Sequence, residues 1–376
     1  MSQRDLRVAI VHERFTEVGG SERVVEQIHR VWPTASVHAA VADPQAVPSG
    51  LAHTEIHTSV LQRVYRGGRG YATLLPALPL AMRHLDLGTP DVVIVSHHAF
   101  AGRVRPPAGV PVVAYVHTPA RWMWEPRMLA DEAGGAAGRG ALRAFAATQR
   151  RADRAAARRW TALAVNSHHV AGRVRRWWGL EAEVIHPPID TEFFTPDPTV
   201  EREDFFLLAG RLVPYKQPQV AAAAARAAGV RLVVAGEGRS RAAVAAEANR
   251  SGGAIELLGE VDATTFRDLL RRCRALVFPG EEDFGMVPVE AQACGTPVLA
   301  RRVGGVLDSI VEGTTGALYE GDAAELARAM GAFDPSNYDP GAIRTHAERF
   351  GAARFRAEIA TLVERATSAA SQDVGP

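Results

Sequence analysis

The chain has 376 residues, 47% of them hydrophobic, and a formal net charge of +1, which fits a soluble globular protein of two domains or one large one. Its two cysteines, Cys273 and Cys294, exclude a disulfide framework and lie in no Cys-x-x-Cys or Cys/His ligand pattern, so the composition suits a reducing cytoplasm. No apolar run approaches a membrane span; "LLPALPLAMRHLDL", the nearest, is interrupted by prolines and charge and reads as a partly buried helix.

The first element is the short apolar run "RVAIVH", entered directly from charged residues without a signal peptide's long apolar core. After it, "ERFTEVGGSERVVEQI" places Gly19 and Gly20 immediately before a helical segment, Glu22 to Trp32. Glycine there lets the backbone approach a ligand closely, and a helix N-terminus favours an anion. The plain alternative is an ordinary βα turn with Ser21 as N-cap. Gly-x-Gly-x-x-Gly is absent, which disfavours a nicotinamide cofactor.

Further strand-like runs follow at "DVVIVSH" and "VVAYVH". His117 closes the second of these and opens "HTPARWMWEP", with Arg121, Trp122, Trp124 and Glu125. A histidine at a strand's carboxyl end can donate a hydrogen bond to a sugar hydroxyl or phosphate, and the aromatics can stack on a sugar face. A solvated loop histidine is the competing reading. The helical segment Arg139 to Arg159 carries Arg139, Arg143, Arg150, Arg151, Arg154, Arg158 and Arg159, continued by Arg173, Arg175, Arg176, Trp177 and Trp178. A basic face with tryptophans suggests an anionic membrane or a lipid-diphosphate acceptor; a solvated arginine-rich helix face is the simpler account. Nucleic-acid binding would need a recognition motif, and none is visible.

After "ALAVNS", the stretch "AEVIHPPIDTEFFTPDPTVERED" is rich in Pro and Asp and poor in helix formers, and reads as a linker near Pro188 to Asp204. The alternation then restarts with "FFLLAG", "RLVVAGEG", "ALVFPG" and "TPVLA", separated by helical segments such as Gln217 to Ala228 and Thr264 to Arg272. Alternating strand and helix over the whole length implies parallel sheets covered on both faces. Such sheets bind ligands beyond the carboxyl ends of their strands, and two domains facing each other would create a cleft. The last segment, "GAIRTHAERFGAARFRAEIATLVERA", reads as one or two amphipathic helices before a frayed tail.

In the second half, Arg211 and Lys216 follow a strand in "LLAGRLVPYKQPQ" and can neutralise a diphosphate, Arg through its planar fork and Lys as a point charge. Glu237 and Arg239 in "VVAGEGRSR" either reach a ligand or sit in solvent, and Gly304-Gly305 either offers N–H donors to a phosphate or makes a plain turn. The most informative stretch is "FPGEEDFGMVPVEAQACGTPVLA". It sets Glu282 on a loop and Glu290 in the first turns of a helix, across a turn formed by Phe284, Gly285, Met286 and Val287. Both carboxylates can then face a polyhydroxylated ligand whose phosphates lie near backbone N–H groups, as a sugar nucleotide's do.

"GGSE", "YVHTP", "GRLVPYK" and "EEDFGMVPVEAQACGTPVLA", in this order and at these separations, resemble the retaining glycosyltransferases of family 4 over nearly the whole chain. "YVHTPARWMW" further resembles the bacterial polysaccharide mannosyltransferases of that family. The resemblance implies an α/β GT-B fold of two Rossmann-like, doubly wound domains. These would be an acceptor-side domain at 1–190, with a terminal helix at about 352–370 packing back on it, and a donor-binding domain at 191–351.

It further implies that Glu290 holds the ribose, Glu282 contacts the donor sugar, and Arg211 with Lys216 binds the diphosphate. His117 would contact the sugar or assist at the reacting centre, Gly20 with Gly19 would admit phosphate or acceptor, and Phe284 to Val287 would line the donor. No metal or other cofactor is expected. The implied activity moves a hexose, most plausibly mannose from GDP-mannose, to a glycan or lipid-linked acceptor at or near the inner face of the membrane. The alternatives are a UDP-sugar donor, a nucleotide-sugar epimerase, or a non-catalytic nucleotide-sugar binding module. One departure stands out: Asp283 occupies a place where family members commonly have glycine, which puts sugar selection in doubt rather than the chemistry.

Overall fold

A computed structural model of the chain describes residues 6–67, 70–125, 128 and 135–372. They form two compact units, one holding the chain up to Pro188 and again from Phe355, the other holding Ile189–Arg354.

The first unit is built on a parallel sheet of β1 (Val8–His12), β2 (Ser36–Ala39), β3 (Ile56–Thr58), β4 (Val92–His97), β5 (Val112–Val116), β6 (Ala162–Val165) and β7 (Glu183–Val184). Their order is β3-β2-β1-β4-β5-β6-β7. β1, β4 and β5 are buried along their whole length, as their near-continuous β-branched runs require of a sheet covered on both faces. One face packs against Leu78, Met82, Phe100, Met123 and Trp178. The other is covered by the helix Gly20–Val31 and by the last helix, Ala352–Gln372, whose Phe355, Ile359, Leu362 and Val363 recur at helical spacing on one stripe.

The second unit carries β8 (Phe206–Ala209), β9 (Leu232–Ala235), β10 (Ile255–Gly259), β11 (Ala275–Phe278), β12 (Val298–Arg301) and β13 (Gly316–Tyr319), all parallel, in the order β10-β9-β8-β11-β12-β13. The alanine-rich helix Pro218–Ala228 lies on one face through Ala221, Ala222, Ala224 and Ala225. The Pro- and Asp-rich stretch read as a linker is anchored to this unit. Ile189 and Phe194 are buried in its core, and the Arg344 guanidinium donates to the carbonyls of Thr191 and Phe194 at 2.8 and 2.7 Å.

Each sheet therefore winds outward in both directions from its first strand, and the strand order reverses between β1 and β4 in one and between β8 and β11 in the other. A reversal of this kind leaves a crevice at the carboxyl ends of the two strands, where loops diverge to opposite faces. The doubly wound α/β class expected from the alternating pattern is the class observed.

Candidate active site

In the first unit, polar side chains gather at this reversal. His12 ends β1, Ser96 and His97 end β4, and His117 follows β5. They form a buried chain. Glu22 Oε2 accepts the Gly19 N–H at 3.0 Å and the Ser21 hydroxyl at 2.8 Å, and Glu22 Oε1 lies 3.2 Å from His12 Nε2. His12 Nδ1 is 3.0 Å from Ser96 Oγ, which is 2.8 Å from His117 Nε2. Burial works to raise the Glu22 carboxyl, but the bonds from His12 and Ser21 more than offset it and hold it at about 2. Burial, with His12 adding to it and Glu22 opposing, pushes the His117 imidazole down to about 3. The His98 ring stacks on His117 at 4.4 Å.

Two expectations change here. Gly19, not Ser21, is the N-cap of the helix Gly20–Val31, and the Gly19 N–H proposed for a ligand is donated to Glu22. Gly20 is exposed at the first helical position. The sequence reading also passed over Glu13, whose buried Oε2 accepts the N–H groups of Ala99, Phe100 and Ala101 at 3.1, 2.8 and 3.1 Å and so fixes the turn after β4.

The tryptophans expected to stack on a sugar stack on protein instead. Trp122 lies on Phe145 at 6.0 Å and Trp124 on Trp177 at 5.9 Å, each nearly parallel. The indole N–H groups of Trp124 and Trp178 converge on Asp153 at 3.2 and 2.8 Å. Burial raises the Asp153 carboxyl to about 6, against the pull of Arg103. Trp178 and Arg173 are buried, and Arg154 sits over the Trp124 ring at 4.8 Å. What remains exposed of the basic run is a row of arginines that includes Arg143, Arg151, Arg158 and Arg159, without a tryptophan face. No helix of the described residues is long and apolar enough to cross a membrane.

In the second unit, Arg211, Lys216, Glu282 and Glu290 are brought to one end of the sheet, following β8 and β11 on either side of the strand-order reversal. Lys216 ends a short 3₁₀ turn, Pro214–Lys216, and its Nζ lies 2.8 Å from Glu282 Oε1. Burial works to lower the Lys216 ammonium, but the Glu282 carboxylate raises it on balance, so it stays charged; Arg211 is near enough to oppose that rise. The next residue, Gln217, takes a left-handed backbone at φ 52°, the one described non-glycine residue to do so. Strain of this type costs about 1–3 kcal/mol and is tolerated where surrounding contacts fix the turn.

The Lys216 and Glu282 loops lie back to back. A Cβ on Gly280 would come within 2.5 Å of Lys216 Cα, so only glycine admits this approach. On the other side, the Gly305 N–H donates to the Glu282 carbonyl at 2.9 Å. That amide, considered for a phosphate, is thus spent on holding the glutamate loop. A Cβ on Gly305 would meet Asp283 O at 2.1 Å and Phe284 Cα at 2.4 Å, both backbone atoms that cannot swing aside. Gly305→Ala is expected to lose about 2–3 kcal/mol, seen as a lower melting temperature, and to displace Glu282.

Glu290 is 5% exposed on the helix Met286–Ala293, which Gly285 caps. Pro288 removes one N–H from the first turn, leaving those of Gly285, Met286 and Val287 as the helix's outward donors. Phe284, expected at the ligand, gives its ring to the core against Phe350 at 5.8 Å and is 3% exposed, so what it can offer a ligand is backbone. Met286 and Val287 are half-buried and pack on the same core. Glu237 pairs with Arg241 at 3.0 Å on the surface.

Residues 18–193 match the family described as Glycosyltransferase Family 4, and residues 190–333 match Glycosyl transferases group 1. A D-inositol 3-phosphate glycosyltransferase of Streptomyces scabiei (strain 87.22) is 32% identical over 317 residues, 71% of this chain and 65% of that protein. Its counterpart in Mycobacterium sp. (strain KMS) is 40% identical over 162 residues, 37% of this chain and 36% of that protein. The chain thus spans from 36% to 65% of the length of these two curated relatives. Among solved structures, Anabaena HepE in complex with UDP is similar at a TM-score of 0.71 and 17% identity, covering 96% of this chain and 100% of that one. Sucrose-phosphate synthase from Thermosynechococcus elongatus is similar at 0.74 and 18% identity, with coverage of 96% and 100%. These structural likenesses carry the fold, GT-B. Two adjoining glycosyltransferase matches thus run from residue 18 to residue 333, and they support a glycosyltransferase of the family 4 type.

Proposed function

We propose that this protein transfers a sugar from a nucleotide-diphosphate donor to a hydroxyl acceptor, with retention at the anomeric carbon and without a metal. The observation that carries this reading is the Lys216–Glu282 pair at 2.8 Å, with Arg211 acting on the same ammonium, at the strand-order reversal of the second sheet. Breaking the anomeric C–O bond leaves negative charge on the departing diphosphate. Preorganised cations and helix N-terminal N–H groups lower that barrier because they need no reorganisation as the charge develops. Lys216 and Arg211 supply the cations, and Gly285, Met286 and Val287 supply the N–H groups. Glu290 holds the ribose and Glu282 a hydroxyl of the donor sugar. The acceptor oxygen attacks from the face the phosphate leaves, and its proton passes to the departing phosphate oxygen, so no enzyme nucleophile is needed.

For the donor, the sequence alone favours GDP-mannose. The UDP held by the Anabaena neighbour supports the alternative, a UDP-sugar, and we adopt it. The name of the relatives supports a small polyol phosphate as acceptor beside the glycan or lipid-linked acceptors first expected. The test is nucleotide release from UDP-glucose, UDP-N-acetylglucosamine and GDP-mannose across a panel of glycan, lipid-linked and inositol phosphate acceptors. Acceptor-dependent UDP release is the expected result, with UDP raising the melting temperature more than GDP does. No release from any donor would overturn the transferase reading, and a preference for GDP-mannose would overturn the donor assignment.

A further inference from the structure

We infer that Glu22, through His12 and Ser96, fixes the proton on His117 so that His117 Nδ1 faces a ligand as a hydrogen-bond acceptor for a sugar or polyol hydroxyl. This deepens the transferase reading and rests on it for the role of His117, though not for the proton arrangement itself.

With a single proton on the His12 ring, the direction of every bond in the chain follows from its far end. Glu22 already accepts two donors on Oε2, from the Gly19 N–H and the Ser21 hydroxyl, so Oε1 faces His12 Nε2 as a carboxylate oxygen with no proton to give. His12 Nε2 must then carry the hydrogen. With that one proton on Nε2, His12 Nδ1 has only a lone pair, so the Ser96 hydroxyl donates to it across 3.0 Å. Having given its one hydrogen, Ser96 Oγ can only accept from His117, across 2.8 Å, which puts the His117 hydrogen on Nε2. His117 Nδ1 is left with a lone pair, and it makes no hydrogen bond to any described residue. Full burial of His12 and Ser96, each 0% exposed, keeps water from supplying alternative partners. His117 therefore receives a hydroxyl proton where the sequence suggested that it would donate one.

Glu22, His12 and Ser96 are positioning residues, for none is placed to touch the ligand. The decisive variant is Glu22→Gln. The Gly19 N–H and Ser21 hydroxyl demand an acceptor at the Oε2 position, so the Gln carbonyl oxygen must sit there and its NH₂ must face His12 Nε2. Every bond then reverses, His117 acquires its hydrogen on Nδ1, and the ligand hydroxyl loses the acceptor it donates to.

The test is long-range ¹⁵N–¹H correlation on full-length protein labelled at histidine, with His117 assigned by loss of its signals in His117→Gln. The wild type is expected to show a protonated Nε2 and a bare Nδ1 on His117, and Glu22→Gln is expected to exchange them. Glu22→Gln should lower kcat/KM by about 10- to 100-fold with whichever of UDP-glucose, UDP-N-acetylglucosamine or GDP-mannose turns over. A rise confined to the donor KM assigns the hydroxyl to the donor sugar, and one confined to the acceptor KM assigns it to the acceptor. Ser96→Ala cuts the chain, so adding Glu22→Gln to it should cause no further loss. A hydrogen on His117 Nδ1 in the wild type, which requires no variant to observe, would overturn the inference. So would a tautomer indifferent to Glu22→Gln, or additive losses in the double variant. Absence of turnover with every donor would sink the transferase reading alone and leave the spectroscopic result standing.

Discussion

Lys216→Met is expected to lower kcat by about 10²- to 10³-fold, the loss typical of removing one preorganised group that meets charge developing in the transition state. The side chain keeps its length and apolar stem while the cation goes. Affinity for the free nucleotide should change less than kcat, because Glu290 and the helix N–H groups stay in place. Lys216→Arg should rescue poorly: the ammonium sits against Gly210, where an added Cβ would already lie 3.3 Å from Nζ, and the loop behind it is closed by Gly280. The same variants separate the transferase from a binding module on this fold, since a module has donor affinity but no turnover to lose. Steady-state nucleotide release and calorimetric titration with UDP check both halves. A kcat within threefold of wild type would remove Lys216 from the mechanism.

Acid is expected to destabilise the first unit selectively, by on the order of 3 to 6 kcal/mol between pH 7 and pH 4.5. Burial pushes His97 and His117 down to about 3 and His38 to about 4. These groups stay neutral in the folded state but protonate in the unfolded chain near the ordinary value of about 6.5. The unfolded chain therefore binds more protons, and stability falls as pH falls from about 6.5 toward the folded values. Asp153 works in the opposite sense, because its carboxyl, raised to about 6, takes up a proton in the folded state first and so gains stability between about 6 and 3.8. One carboxyl offsets only part of what three imidazoles lose. All six tryptophans precede Pro188, so their fluorescence follows this unit alone. A urea midpoint that holds or rises at pH 4.5 would contradict the prediction.

The sequence showed most of the second unit's candidate site because its residues follow strands whose apolar runs are unmistakable, and because Glu282 and Glu290 lie on one short loop and helix. The first unit was harder to read. His12 is the last residue of its strand and Ser96 the last but one of its own, so a search of the loops passes them by. Their partnership spans 84 positions of sequence, and only the parallel pairing of β1 with β4 brings them together. Glu22 sits three residues after Gly19, a capping spacing that was visible, but a glycine N-cap has no side chain to advertise it. Trp122 and Trp124 looked available for a sugar because their stacking partners, Phe145 and Trp177, are remote in sequence. Of the strands not read from the sequence, β3, β7, β10 and β13 are sheet edges and only partly buried, with no continuous apolar run to mark them.

The helix Ala352–Gln372 closes the first unit's core with residues made after the whole of the second unit. A ribosome that has released the chain as far as Arg354 has delivered every residue of the second unit, although that unit began later. The earlier half must wait with the ground beneath Tyr115 and Ile185 uncovered until Phe355, Ile359 and Val363 emerge. Order of birth and order of completion are reversed, and synthesis that stops just after Arg354 leaves the earlier unit, not the later one, as the aggregation hazard.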